Sequence, residues 1–562
     1  MDNNNNNNGQ ENMYTPANMP TPQNAYVPAN THSPANMYGP ADANGLRYAA
    51  NQQYSPEPQI AVKPENLFKP DITDFLFALA AFALGYLFSR WVLFSWQGWG
   101  VTVFTSAYLL TVTAYLIKKG VFVSGTATWF WLTVTGLIGA SFALWSNTGF
   151  TGIISLFLFC SACYYVITAS GCTLMGKTGN YLIADGIRTV MLIPLRNFFN
   201  QYVSFSFLAK GDKRGKVLPA ILGILLGVVL LMILIPLLER ADSGGFGLIV
   251  KFLTDLYTAR IMEFMLYAML AIPVAAYLYA LASGAAHRKG TDLIKPEGVE
   301  KSVTSMRVLH PLTVYIALGA VCGLYVVFIL SQTPYFFSAF SGRRPVGWLI
   351  YAEYARQGFF ELCWIAAINL AILTIGNLTC KKRRSESRAL MLFNIILSAI
   401  TLVLIATAMS KMALYIGAYG LTMRRLLPCV LMAFMALVFV ALIILQKRNF
   451  SIVRFALVAG AVMLCVLSLS NPDAMVVRYN ADRYLSGTLP EFDMEILRRS
   501  GGAGVIPAIE VFEKTQDDDL KERLRVYLYA PGVYGVSHEV NLEILLARAA
   551  LEDVAIEVRE GR

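Results

Sequence analysis

Apolar residues along this chain gather into blocks of roughly 20, each long enough to cross the hydrocarbon core of a bilayer as a helix. Eleven blocks read this way: Ile72–Phe94, Gly98–Ile117, Ala127–Trp145, Phe150–Ala169, Val217–Leu238, Met262–Ser283, Pro311–Ser331, Phe359–Leu378, Ala389–Met409, Leu427–Leu445 and Ile452–Ser470. Lys and Arg crowd alternate connections, with about 25 on one side of the predicted membrane and about nine on the other. The pattern predicts an all-α fold, a polytopic transmembrane helix bundle of about 11 spans. Because the basic side is cytoplasmic, the N-terminus is expected inside and, after an odd number of spans, the segment following Ser470 outside. No cleavable signal peptide is read: the first 70 residues are polar and the first apolar block is too long for an h-region, so it should act as an uncleaved anchor.

Three parts follow from this layout. Residues 1–70 form a low-complexity cytoplasmic tail, with an Asn run from Asn3 to Asn8 and a repeat in which Tyr14, Tyr26 and Tyr38 each stand two residues before a proline. Such sequence has too little apolar area to offset its ordering entropy and is expected to be disordered. Residues 71–470 are the bundle, with two expected interfacial segments. One lies near 181–207, mixing apolar residues with Asp185, Arg188 and Arg196 and broken at Pro194; the other lies near 246–260. Whether they rest on lipid or pack against the bundle is open from periodicity. Residues 471–562 are a small extracytoplasmic helical domain. Asn471-Pro472 marks a helix start continuing through Tyr484, in line with the last span; Gly501-Gly502 and Pro531-Gly532 mark breaks; Ser537 is a candidate cap for a last helix through about Ala549.

Composition agrees: the chain is 56% hydrophobic and 15% charged, with mean hydropathy +0.52, outside the range of ordinary soluble domains. Its formal charge of +10 is uneven, since the last segment holds about 11 basic and 17 acidic residues. The basic excess therefore lies on the cytoplasmic side, where it matches anionic lipid head groups, the first expected partner. No nucleic-acid binding is expected, because no basic and aromatic module is present.

Motifs of known chemistry do not survive their context. Gly171 to Thr178 spells a phosphate loop letter by letter, but an apolar span precedes it instead of a buried strand, and no α/β domain surrounds it. Cys160 and Cys163 stand one helical turn apart without a second pair to complete a metal site, and His32, His287, His310 and His538 are scattered. All eight cysteines lie in or beside spans, so the last segment has no disulfide framework. Gly223 with Gly227, and Gly319 with Gly323, suggest close helix packing. No metal, cofactor or catalytic residue is assigned, and no enzyme is expected.

Ionisable residues in or beside spans carry more weight, since an ion in hydrocarbon is costly. Arg90 is close enough to a span end to snorkel. Glu353 and Arg356 are spaced to pair along a helix, and Glu361 lies a turn inside the eighth span. Across the same face, Lys411, Arg424 and Arg425 border the ninth and tenth spans. These six form the candidate functional cluster.

Three blocks in this region carry a family resemblance: Tyr351–Leu370, the run Tyr415-Ile-Gly-Ala-Tyr419-Gly-Leu-Thr-Met-Arg424-Arg425, and Asn471-Pro472-Asp473 with Arg478-Tyr479-Asn480 and Arg483-Tyr484-Leu485. They resemble the bacterial membrane family catalogued as domain of unknown function 4173, from about Arg307 to the C-terminus. The resemblance implies a bacterial plasma-membrane protein with an outer helical tail, and no reaction. Two kinds of function are carried forward. The first is a non-enzymatic envelope scaffold or sensor, with protein partners for the N-terminal tail and the C-terminal domain. The alternative is a transporter or lipid-handling membrane protein using the charged cluster.

Overall fold

A backbone amide in hydrocarbon finds no water, so an apolar block that crosses a membrane satisfies its hydrogen bonds internally as a helix. The computed structural model describes residues 68–176, 178–208, 259–340, 358–529 and 539–560, with isolated positions between 219 and 241. Among these residues, ten helices are long and apolar enough to cross a membrane, and no β-strand occurs. The protein is a multi-pass helical membrane protein.

In chain order the helices begin with α1 (Ile72–Trp91), α2 (Gly98–Lys118), α3 (Thr126–Leu144) and α4 (Thr151–Ala169). Short helices α5 (Leu182–Ile187), α6 (Ile193–Asn197) and α7 (Asn200–Phe205) follow, with a π-helical turn at Arg188–Leu192 joining the first two. Then come α8 (Ala259–Ala286), α9 (Pro296–Ser305), α10 (Pro311–Phe340), α11 (Phe359–Thr379), α12 (Arg388–Tyr419), α13 (Met423–Lys447) and α14 (Ile452–Leu469). The C-terminal helices are α15 (Pro472–Leu485), α16 (Met494–Arg499), α17 (Val505–Lys514), α18 (Asp518–Tyr529) and α19 (Leu542–Glu560). Ten of the eleven expected spans are thus present. The remaining one, Val217–Leu238, lies outside the described residues except at isolated positions, as do the tail up to residue 67 and nearly all of 246–260.

Apolar side chains gather in three cores. Phe77, Tyr115, Ile138, Ile154 and Tyr279 centre the group formed by α1–α4 and α8, which α14 joins through Ala461 and Cys465. Leu318, Leu362, Leu397, Leu404 and Phe439 centre α10–α13. Val477, Leu497, Val511, Leu524 and Ala547 centre the C-terminal helices. These last helices mark one end of the bundle, called here the tail end. The first turn of α1, Lys119 after α2 and His287 after α8 meet at the opposite, far end.

Buried amides tie spans together where apolar contact alone gives little drive against lipid. Asn377 and Asn394 exchange two hydrogen bonds of 3.0 Å, and Asn394 reaches Gln446 at 3.4 Å. Tyr325, Asn369 and Thr401 form a second chain across α10, α11 and α12.

Several local expectations change. The segment from Leu182 packs against the bundle with its polar side inward: Asp185, Arg188, Asn197 and Gln201 are buried. Asn197 donates to the carbonyls of Ile193 and Lys289, and Gln201 to that of Ala78. Ile183, Ile187, Met191, Leu195 and Phe199, spaced by four, are exposed on its other face. Pro194 does not break the segment, because the π turn before it shifts the hydrogen-bond pattern and proline's missing donor falls in the first turn of α6. Asn471 does cap α15, accepting from Ala474 N–H, but in a left-handed conformation with φ 50° that interrupts continuity with α14. The last helix is capped by Asn541, which accepts from Ile544 N–H, and runs to Glu560, past the expected end near Ala549; Ser537 and Pro531-Gly532 lie outside the described residues.

Small-residue packing is also relocated. Gly319 faces only the ring of Phe393, and Gly323 faces open space. A close approach of backbones is at Gly85 in α1, where a Cβ would stand 2.6 Å from the Ala271 carbonyl oxygen and 3.0 Å from the Ala275 Cβ of α8. Gly85→Val should therefore force α1 and α8 apart, costing about 1–3 kcal/mol as overpacking does, whereas Gly323→Val should be neutral. Thermal unfolding of the two detergent-solubilised variants checks this; equal midpoints would refute the assignment of that contact.

Candidate functional site

The short turn between α3 and α4, Trp145-Ser-Asn-Thr-Gly149, is polar because it must leave and re-enter the apolar layer within a few residues. Every one of its residues contacts the C-terminal end of α14 or the helices beyond it. Trp145 Nε1 donates to the Leu469 carbonyl at 2.9 Å, and Asn147 Nδ2 to that of Ser468 at 3.4 Å. Ser146 Oγ donates to Glu543 Oε1 at 2.8 Å and accepts from Asn541 at 3.1 Å, while Asn471 holds the other Glu543 oxygen at 2.9 Å. Gly149 N–H donates to Asp473 Oδ2 at 3.4 Å. At Gly149 a Cβ would collide with the Met423 side chain at 2.6 Å, so a larger residue here would have to displace it.

Thr148 is shared between Asp473 and the Arg499 carbonyl. Its oxygen lies 2.7 Å from the Arg499 carbonyl and 3.1 Å from Asp473 Oδ2. A hydroxyl has one proton, and the carbonyl contact is the shorter and can only accept. The hydrogen bond that Thr148 offers Asp473 Oδ2 is therefore the weaker of the two. Burial pushes both Asp473 and Glu543 above their ordinary values, against the hydrogen bonds to Thr148 and Gly149 in one case and Ser146 and Asn471 in the other. Negative charge on Asp473 adds to the shift at Glu543.

A second set of ties fixes α15 to the α12–α13 turn. Asn480 exchanges hydrogen bonds with Leu421 N–H and C=O, and Arg483 donates to the carbonyls of Ile416 and Gly417. Gly420 has φ 77° and sits directly against the Asn480 side-chain oxygen, a position no side chain could share.

Between these ties an open cavity of about 690 Å³ is lined by the bundle and the C-terminal helices. Phe360, Met412, Tyr415 and Met423 give it an apolar side; Arg424, Arg425, Asp473 and Arg499 give it a polar one. The candidate cluster is thereby divided. Arg424 and Arg425 line the cavity. Glu361 lies beside it, its carboxylate accepting the Gly358 N–H at 2.8 Å at the start of α11. Lys411 is close by: a Cβ at Gly358 would stand 3.2 Å from its Nζ. Glu353 and Arg356 lie outside the described residues. Arg425 donates to the carbonyls of Tyr419 and Gly420, and its guanidinium lies 4.2 Å above the Tyr415 ring.

Sequence reasoning missed a second constellation at the far end. Asp74, fully buried, accepts from Tyr115 OH at 2.7 Å and Lys119 Nζ at 2.9 Å, and lies 3.0 Å from His287 Nε2. One carboxylate so joins α1, α2 and the end of α8. Its signal was the pair Asp71 and Asp74 at the head of the first span, where the two form a reciprocal capping box. The phosphate-loop lookalike also has an explanation: Leu174 N–H, a donor such a loop would offer to phosphate, is taken by the Asp185 carboxylate at 3.0 Å. Cys160 and Cys163 are free thiols, the first exposed and the second buried 3.6 Å from Tyr277 OH. Among the described residues no three His, Cys, Asp or Glu side chains could hold a metal.

Residues 132–511 match the model of a family described as domain of unknown function DUF4153. The chain belongs to that family. Its number differs from that of the family the three sequence blocks resemble, although the matched segment contains all three. Every residue lining the junction cavity also falls within the DUF4153 segment, whereas Asp74, Lys119 and Glu543 fall outside it. Neither the curated proteins nor the solved structures give a match.

The raised carboxyls make docking of the C-terminal helices pH-dependent. A carboxyl whose folded value exceeds its unfolded one binds more protons when folded, so stability falls as pH rises from the ordinary values of 3.8 and 4.5 through the raised ones. Unfolding of α15–α19 should therefore need more denaturant at about pH 5 than at about pH 7.5. The double variant Asp473→Asn, Glu543→Gln should flatten that difference; an undiminished pH dependence would show that other groups carry it.

Proposed function

We propose that this integral membrane protein is a non-enzymatic sensor or partner-binding scaffold of the bacterial envelope, with its N-terminus cytoplasmic and its C-terminal helices extracytoplasmic. The basic bias of alternate connections supports the orientation. The observation that carries the reading is the junction: the C-terminal helices are not tethered loosely but seated on the α3–α4 and α12–α13 turns through buried polar groups, roofing a cavity that neither part forms alone. A site built from two elements is one whose occupancy biases their relative arrangement, which is what a sensor requires. Glu361, Lys411, Arg424 and Arg425 act in this reading at the junction, and the N-terminal tail is the candidate binding segment on the cytoplasmic side.

A second reading, a lipid-handling protein, has one observation in its favour. An apolar groove of about 310 Å³ lies among α1, α2, α4 and α8, lined by Phe88, Phe104, Tyr108, Leu158, Pro273 and Tyr277. Such a groove suits an acyl chain and no polar solute.

Crosslinking in intact cells separates the two. A protein partner of the full-length chain should be lost on removing residues 471–562 or residues 1–60, while the latter deletion leaves membrane insertion intact. Glu361→Gln should lower stability by about 1 kcal/mol, the order expected for a weakened N-terminal turn, and change no flux. Proton-coupled flux abolished by that variant, with no partner recovered from any version, would replace this proposal with transport.

A further inference from the structure

Charges at the junction cavity are unequally committed. Arg499 Nε is paired with Glu495 Oε1 at 2.8 Å. Asp493 is engaged in capping α16, accepting from Glu495 N–H at 2.9 Å. Asp473 is turned onto Thr148 and Gly149, with burial favouring its neutral form. Arg424 and Arg425 remain: among the described residues no carboxylate lies within ion-pair distance of either. Both belong to the first turn of the 25-residue helix α13, whose cap residue Thr422 makes no side-chain bond to the open amides there. Among the described residues, two guanidiniums and a helix N-terminus thus border the cavity with no carboxylate paired to them.

The cavity also has apolar lining residues, set where spans end. Phe360 is the second residue of α11, Met412 and Tyr415 lie in the last turns of α12, and Met423 opens α13. Phe360 is 46% exposed although it belongs to a membrane-crossing helix. Cationic forks and span-end hydrophobics bordering one cavity match a molecule with a charged head and an apolar chain.

Resting on the reading of the junction as the working site, we infer that the cavity binds a phosphate-bearing amphiphile, its head group held by Arg424 and Arg425 and its chain laid against Phe360, Met412 and Tyr415. The fork of an arginine fits two phosphate oxygens at once, which a lysine would not do. Tyr415 serves twice, as a wall for the chain and as the ring that orients Arg425.

The test uses the full chain in neutral-detergent micelles, with three probes: dihexanoylphosphatidylglycerol, inorganic phosphate, and dihexanoylglycerol, which lacks the phosphate. Binding is read by equilibrium titration and by hydrogen exchange across residues 472–500. The short phosphatidylglycerol should bind and slow exchange there; phosphate and the neutral glyceride should each bind at least about tenfold more weakly. Arg424→Ala should weaken the amphiphile roughly tenfold or more, the scale of a lost charge-assisted bond, while leaving the melting midpoint of the free protein unchanged. Arg498→Ala, an equal change of charge on an exposed neighbouring residue outside the cavity, should bind as wild type.

Equal loss in the two arginine variants would overturn the site, since only bulk charge would then be at work. Phosphate binding as tightly as the amphiphile would overturn the chain contact and leave a soluble-anion site. No binding of any probe, alongside a cellular partner that depends on residues 471–562, would overturn the ligand class while the sensor reading stands. Selective amphiphile binding without any such partner would sustain the site and count against the reading.

Discussion

A carboxyl buried in protein has to be hydrogen-bonded or protonated, and Asp473 meets that condition, and Glu543 completes it, where the C-terminal helices lie against residues 146–149. Lift α15 and α19 from that turn and two acids, three amide or hydroxyl groups and the Arg499 carbonyl all need new partners. The C-terminal helices have a core of their own, so their folding does not depend on the bundle for apolar burial. Their position does. The polar seat supplies direction and register, as buried polar groups do where apolar packing would allow several arrangements.

The far end of the bundle uses the same physics with a different charge balance. Asp74 is surrounded by Tyr115, Lys119 and His287, so its carboxylate is answered by the Lys119 ammonium and two further hydrogen-bonding groups and joins three helix ends. At the tail end the acids are answered by neutral donors, and burial favours the proton instead. One end is therefore a fixed clasp and the other a seat whose grip depends on protonation. Between them the spans meet through small residues, as at Gly85, and through amide chains such as Asn377, Asn394 and Gln446.

Hydropathy made the spans legible because each is a long block with one physical requirement, to match hydrocarbon. The cap at Asn471 was legible for a similar reason: the proline after it fixes where a helix can start. Partnerships were less accessible. Gly319 and Gly323 carry the spacing of a packing motif but face a ring and open space, since spacing says which residues share a face and not what that face meets. Pro194 reads as a breaker until the π turn before it is seen. Ser146, Thr148 and Glu543 gave no signal at all, for each is an ordinary polar residue whose importance comes from a contact more than 300 residues away. The charged residues were singled out from the sequence, yet the division of the described ones into cavity-lining arginines and a capping glutamate depends on where the α12–α13 turn is held.

That division bears on what the junction can do. A charge relay through the bundle would need ionisable groups spaced across its thickness, whereas the described ones gather at the two ends: Asp74, Lys119 and His287 at one, Arg424, Arg425 and Asp473 at the other. At the tail end, the group whose burial favours protonation and the two guanidiniums border one cavity. An anion placed beside Asp473 would disfavour its ionised form further, so anion binding and proton uptake would reinforce each other there, and by linkage each would tighten the other. The seat that fixes the C-terminal helices and the site they roof would then respond to the same two variables, acidity and occupancy, through one carboxyl.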